Sequence, residues 1–435
     1  MRRRSDLSCC PRSLLAVLLL SALAPPGCSR GGSGDGKGGS DLAGVFDDLR
    51  SETKDQSSDS IRDLRGERGD LESLGDLGGG GTDLGPPAMC STARSPAHST
   101  TTTTTHNLPD PDEPYVFAAG SSVYSALSFA SNWSTFTGTG WSESPIPWPP
   151  EIAKNPDGSP RALRLHSCNY RGIKELPDGR ALFMAVEGSS YWLVNFDGVA
   201  LRDPLKLPSG GAIPCARTRD GRYHHLSGAR LFSGDAKSGW DTGTPVPLPS
   251  LGWTDVDLAA TRDDRIVITY AAAKMTGSPR HVWVLSKPPG GAWGPAQDIT
   301  PSWAVDAYGP QAVPARDGGL VVAATGGGGS YGVPAIWRST DAVTFGAADN
   351  ILSGFIDASL ITARATCLGS TLVALRNRAG MATAFELYVQ KGTGWVQLDR
   401  TTGTYLQGAA ATLLPDGRAF WGYSVPNSMT VKATM

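Results

Sequence analysis

The sequence predicts an all-β chain: a six-bladed β-propeller of four-stranded antiparallel blades, closed by strands from both termini, behind an N-terminal segment that cannot fold alone. Three observations lead there. The 435 residues include 54 Gly, 32 Pro and 12 Trp with only 18% charged side chains, a mix that favours turns and short strands over long helices. All 12 Trp and all 11 Tyr lie after residue 114, whereas 29–114 holds one aromatic, Phe46. Beyond residue 115 a tight Asp-Gly turn between two apolar runs recurs along the chain.

That turn stands at Asp178-Gly179, Asp220-Gly221, Asp263-Asp264, Asp317-Gly318 and Asp416-Gly417, with Leu368-Gly369 in the remaining place. A β-rich run follows it, as in RALFMAV (180–186), RIVITYAAA (265–273) and RAFWGYSV (418–425). The next run often carries a central aromatic, as in SYWLVNF (190–196), HVWVLSK (281–287) and PAIWRST (334–340), and ends near a Gly-Trp or Ala-Trp corner. A polar or Pro-rich fourth segment closes the unit, as in TGTPVPLP (242–249). Four short strands at this period describe a propeller blade. The 321 residues of 115–435 divide into six units of about 53. The C-terminus supplies three strands of the last unit, and GTGW with SESPIPWP, from 138 onward, is expected to supply its closing strand.

Residues 1–27 carry Arg2, Arg3, Arg4 and Arg12, then the apolar stretch 14–24, then Pro25, Pro26 and Gly27 before Cys28. This is the order of a secretory signal, and its apolar part is far shorter than the roughly 20 residues of a spanning helix. The Gly-Cys ending resembles the lipobox of bacterial lipoproteins, although Pro25 stands where that family usually has Leu. The resemblance implies lipidation at Cys28, anchoring to a membrane and a place in the cell envelope, at an outer membrane or surface. Residues 28–114 hold 16 acidic and eight basic groups, a run of Gly (78–81) and a run of Thr (100–105). Such composition buries too little apolar surface to offset chain entropy, so a disordered tether with a reach of roughly 50 Å is expected.

Lys plus Arg number 39 against 41 Asp plus Glu, which removes the basic excess of a nucleic-acid binder. No cofactor motif is present, and Cys168, Cys215 and Cys367 form no CxxC or Cys/His cluster, so no metal site is expected. Export permits a disulfide, and Cys168 with Cys215, at equivalent places in adjacent repeats, is the candidate pair. The adjacent His224 and His225 fall within a strand, where one faces inward and one outward.

In a propeller the innermost strands begin at the axis, so polar residues there converge on one face. The candidate ligand-binding set is Arg171, Asp257, Tyr308, Gln311, Asp357, Tyr405 and Gln407, with His166, Asn169, Asp255, Asp306 and Ser359 beside them. The segment Ser339-Thr340-Asp341-Ala342-Val343-Thr344-Phe345 resembles the Asp-box of sialidase-like propellers, with Ala342 where Gly is usual and Phe345 in place of Trp. Tyr170-Arg171-Gly172-Ile173 is similar in placement to the sialidase Phe/Tyr-Arg-Ile-Pro motif, interrupted by Gly172 and lacking the Pro. The resemblance implies a propeller whose Arg171 would bind a substrate carboxylate with two further Arg, beside a carboxylate and a Tyr nucleophile. No spacing selects those partners, and no catalytic residue is assigned. The leading expectation is a monomeric, membrane-tethered, non-catalytic module that binds a glycan or another envelope protein; the alternative is a sialidase-like glycoside hydrolase.

Overall fold

In the computed structural model, residues 99–102 and 113–434 are described, apart from short loop stretches that include 169–171, 353–357, 404–405 and 407. They form a ring of seven antiparallel sheets, one more than the Asp-Gly count implies. Strand β1 (Ser99–Thr102) comes first in the chain and belongs to the last blade. Blade 1 is β2 (Pro114–Ala119), β3 (Ser122–Leu127), β4 (Asn132–Phe136) and β5 (Trp141–Pro145). A single-turn helix, α1 (Pro150–Ala153), leads to blade 2. Blade 2 comprises β6 (Arg164–His166), β7 (Lys174–Glu175), β8 (Ala181–Glu187), β9 (Ser190–Phe196) and β10 (Leu201–Lys206). Its innermost strand is interrupted, since β6 and β7 both pair with β8.

Blade 3 is the most irregular, with β11 (Cys215–Arg217), β12 (Tyr223–Ser227), β13 (Arg230–Asp235) and two two-residue pieces, β14 (Gly239–Trp240) and β15 (Thr244–Pro245). Blade 4 is β16 (Thr254–Ala260), β17 (Ile266–Ala273), β18 (Arg280–Lys287) and β19 (Gln297–Asp298). Blade 5 is β20 (Ala307–Pro314), β21 (Leu320–Gly326), β22 (Val333–Ser339) and β23 (Asp349–Asn350). Blade 6 has the longest strands, β24 (Ala358–Cys367), β25 (Ser370–Ala379), β26 (Ala382–Lys391) and β27 (Gly394–Gly403). Blade 7 holds β28 (Gly408–Leu413), β29 (Ala419–Val425) and β30 (Ser428–Thr434), and β1 pairs along β30 as its outer strand.

Two expectations are corrected here. The ring has seven blades because residues 114–145 form a complete blade, whose inner turn is Gly120-Ser121 and so carries no Asp-Gly signature. For the same reason 141–145 does not close the last blade; it is the outer strand of blade 1. Closure still joins chain from both ends of the fold, but the N-terminal contribution is Ser99–Thr102, within the stretch whose composition reads as tether. Pairing β1 with β30 covers an edge that would otherwise present free backbone groups. The signal segment 1–27, the rest of the tether and Cys28 lie outside the described residues.

Packing follows the ring. Seven apolar clusters occupy the seven blade interfaces, as in Phe117, Phe183 and Phe196 between blades 1 and 2, and Leu372, Phe385 and Trp421 between blades 6 and 7. Each strand alternates its side chains between two neighbouring interfaces, so both faces of every sheet are apolar. Cys168 and Cys215 lie buried between blades 2 and 3 and are joined by a disulfide with Cα atoms 5.6 Å apart. Cys367 is also disulfide-bonded.

The turns at one end of the ring are chained together. Gly120 N–H donates to Gly179 O (2.8 Å), Arg219 to Arg262 O (3.4 Å), Arg262 to Arg316 O (3.1 Å) and Arg316 N–H to Thr366 O (2.9 Å). The Arg residues that precede three of the Asp turns, Arg219, Arg262 and Arg316, therefore reach the backbone of the next blade. Between β22 and β23, Asp341 accepts from Ser339 Oγ (2.8 Å) and from the N–H groups of Val343 (2.8 Å) and Thr344 (2.7 Å). Ala342 takes φ 55° in that turn, the left-handed conformation that favours Gly.

His224 and His225 are both buried in β12. His225 is sandwiched between Phe232 (4.9 Å, stacked) and Trp240 (4.6 Å, edge-on), with neither ring nitrogen hydrogen-bonded. His224 sits between Thr218 Oγ (3.1 Å) and Ser233 Oγ (2.9 Å). Burial pulls both imidazoles down to about 4, so they fold neutral while the unfolded chain protonates them near 6.5. Stability is complete above pH 6.5 and falls as pH drops towards 4, by roughly 3 kcal/mol for each residue at full effect. Chemical unfolding measured from pH 7 to pH 4 should show this loss, and His225→Leu should remove about half of it. A chain beginning at Asn107 should melt below one beginning at Ser91, because it lacks the strand that completes blade 7.

Candidate functional site

Two adjoining cavities define the site, and Gly172 lines both. The first is on the ring's axis and measures about 30 Å³, room for a single water. It is filled by charge. Lys174 of β7 crosses the axis to Asp257 of β16, with Nζ 2.7 Å from Oδ1 and 2.8 Å from Oδ2. Asp257 also accepts from the N–H of Leu258 (2.9 Å) and of Ala312 in blade 5 (2.9 Å). Burial pulls the Lys174 ammonium below its usual value, and the Asp257 carboxylate opposes that shift.

Arg364 of blade 6 crosses in the same way, donating to Ile173 O (3.0 Å) and standing 3.5 Å from Glu175. Glu175 in turn accepts from Ala118 N–H of blade 1 (3.1 Å). Gln311 bridges blades 5 and 6, accepting from Ala363 N–H (3.0 Å) and donating to Ile361 O (2.9 Å). Gly172, at φ 103°, turns the loop back into β7, and a Cβ there would meet Arg364 Nη2 at 3.4 Å. The axis is a braced plug.

The second cavity, about 240 Å³, opens between blades 6, 7 and 1 beside the plug. Its wall includes Glu113, Tyr115, Ser359, Arg376, Gly408 and Ala409. Arg376 shares a face of β25 with Leu372 and Ala374, so strand alternation carries it towards blade 7. Its Nε is buried without a hydrogen-bond partner, and among the described residues Arg376 makes no ion pair. A guanidinium so placed can take a carboxylate or sulfate in bidentate fashion. Tyr115 Oη lies 3.3 Å from Ser167 Oγ and accepts Ser167 N–H (3.2 Å); burial pushes this phenol up, so it stays protonated at neutral pH.

The sequence-selected residues divide accordingly. Asp257 and Gln311 do converge on the axis, but both are buried and spent on holding blades together. Tyr308 is half-buried at the rim of blades 4 and 5, donates to Asp306 (2.7 Å) and lies under the Arg280 guanidinium, 3.8 Å from the ring centroid. Arg171, Asp357, Tyr405 and Gln407 lie outside the described residues. Arg376 lies on the second strand of its blade, outside the innermost positions that the sequence marks as axial. Its signal was a charge ending the otherwise apolar second-strand run TLVALRN. Among the described residues no group of three or more His, Cys, Asp or Glu could hold a metal ion.

The sequence matches no protein-family model and no curated protein. Solved structures do match in fold. A PL25 ulvan lyase, a polysaccharide lyase, superposes with a TM-score of 0.50 at 9% identity, over 77% of this chain and 95% of its own. The same lyase bound to -[GlcA(1-4)Rha3S]- matches equally. An α-L-arabinanase from Penicillium chrysogenum gives 0.40 at 13% identity, over 77% and 98%, and the phage phi92 endosialidase 0.42 at 11%, over 78% and 69%. The chain thus shares its fold with the ulvan lyase structure. Its closest internal constraint is measurable: Asp257→Ala leaves Lys174 buried and unpaired, and should cost about 3–5 kcal/mol in denaturant unfolding. Lys174→Met/Asp257→Leu together should restore most of it.

Proposed function

We propose that the protein is an exported, membrane-tethered propeller that binds an acidic glycan chain in the cleft between blades 6, 7 and 1, without cleaving it. The carrying observation is Arg376: a guanidinium on the wall of a 240 Å³ cleft with its Nε buried and unpartnered. With no ion pair made among the described residues, this guanidinium is left for an anionic group entering the cleft. Apart from Glu113, the cleft's remaining wall is apolar or hydroxylic, which suits the alternating faces of a saccharide.

The non-catalytic reading is supported by the described wall, where the only carboxylate is Glu113. Glycoside hydrolysis uses a pair of carboxylates, or a Tyr activated by one. The Tyr115 hydroxyl is committed to Ser167. The sialidase-like alternative draws on Arg171, whose chain neighbour Gly172 lines the same cleft. Tethering rests on the Arg-rich start, the apolar 14–24 stretch and Cys28.

Calorimetry with uronate-containing oligosaccharides is expected to show binding that Arg376→Gln weakens at least tenfold, while carboxyl-reduced oligosaccharides bind both proteins alike. Release of shortened or unsaturated products over long incubation would replace this reading with an enzymatic one.

A further inference from the structure

The turn from β3 to β4, tied by Ser128 to the cleft-wall residue Glu113, carries an anomaly. Phe129 adopts φ 59°. The other non-glycine residues at positive φ are three Asp and one Ala among the described residues, and short side chains of that kind tolerate the left-handed region. A bulky aromatic there adds strain, and such strain is ordinarily repaid by burying the ring. Phe129 does not bury it: 41% of the residue is exposed.

The backbone around it is nonetheless held. Phe129 N–H donates to Leu165 O (2.7 Å), Ala130 N–H to Leu127 O (3.1 Å) and Ser128 N–H to Glu113 O (2.9 Å). The ring stands against His166, with centroids 4.8 Å apart and planes at 65°. His166 Nδ1 lies 2.7 Å from Ser167 O, so Nδ1–H donates there and fixes the imidazole as a brace. Both supports lead to the cleft wall. Glu113 lines it, and Ser167 bonds to Tyr115, which also lines it. Phe129 does not itself line the cleft; it is an exposed, fixed aromatic whose turn is tied to the wall residue Glu113 through Ser128 and, by way of His166 and Ser167, to the wall residue Tyr115.

We infer that Phe129, braced by His166, is a stacking subsite for a pyranose ring of the bound glycan. The C–H face of a sugar carries partial positive charge and fits the negative face of an aromatic ring. A ring with two side-chain torsions, already held by its backbone, loses little entropy on binding. This rests on the glycan-binding reading of the cleft and adds to it a contact that is indifferent to the ligand's charge. The strain then has a use, because the left-handed turn is what presents the ring outward.

The test combines affinity and stability for the full chain and three variants, Phe129→Gly, Phe129→Trp and Arg376→Gln. The probes are a panel of neutral and uronate-containing hexasaccharides, each uronate probe paired with its carboxyl-reduced form. Phe129→Gly should remain folded while losing at least tenfold in affinity for acidic and reduced probes alike. Phe129→Trp should bind as well as Phe or better. Arg376→Gln should weaken only the acidic probes. If Phe129→Gly binds like the natural protein while Arg376→Gln does not, the stacking subsite is overturned and the cleft stands. Loss through Phe129→Gly alone would keep the subsite and overturn the role of Arg376. If Phe129→Gly no longer folds and Phe129→Trp binds no better than the Gly variant's unfolded chain, the ring serves the fold and the inference fails. Absence of binding by the natural protein to every probe overturns both.

Discussion

The buried ion pair between Lys174 and Asp257 decides what kind of ring this is. It joins the innermost strands of blades 2 and 4 across the axis, and Asp257 passes the connection on to blade 5 through Ala312 N–H. Arg364 makes the second crossing, from blade 6 to the backbone of blade 2. Two charged crossings in a low-dielectric space hold only if each charge is matched, so the sign and length of four side chains are coupled. With the axis occupied, space for a ligand is left beside the plug, at the blade interfaces.

Closure by β1 and the plug work on different radii. The outer strand pairing of β1 with β30 covers a sheet edge, the seven apolar clusters hold blade faces together, and the axial charges set how the inner strands converge. Blade 3 is the weakest sector by construction. Its outer part is two two-residue strands, its core contains two neutral histidines, and its tie to blade 2 is the Cys168–Cys215 disulfide. The long sheet of blade 6 lies on the other side of the ring and forms the wall that carries Arg376.

Much of the repeat was legible along the chain because a hairpin turn is a local object. Asp-Gly pairs and alternating apolar runs locate β8, β9, β17, β18, β22 and β29 to within a residue or two. Blade 1 was hidden since Gly120-Ser121 makes the same turn without an Asp, and strand β1 was hidden inside a Thr-rich stretch with no apolar alternation. Asp257 and Gln311 were chosen as axial polar residues, and they are axial; what position could not reveal is that each already has its partners on another blade. Arg376 and Phe129 carry no motif. One stands out by making no ion pair among the described residues and the other by its backbone angle.

The sequence by itself determined the composition of a β-rich domain, the length of its repeat and the turns that make each blade, because these depend on residues close together in the chain. Only the tertiary structure decided the number of blades, the strand that closes them, the ion pairs across the axis and the cleft at their side. Those depend on residues far apart in the chain, as Ser99 is from Thr434 in the closing strand pair and Arg364 from Ile173, 191 positions away, across the axis. Whether a polar side chain braces the fold or faces a ligand is settled by what stands opposite it, and that is a property of the closed ring.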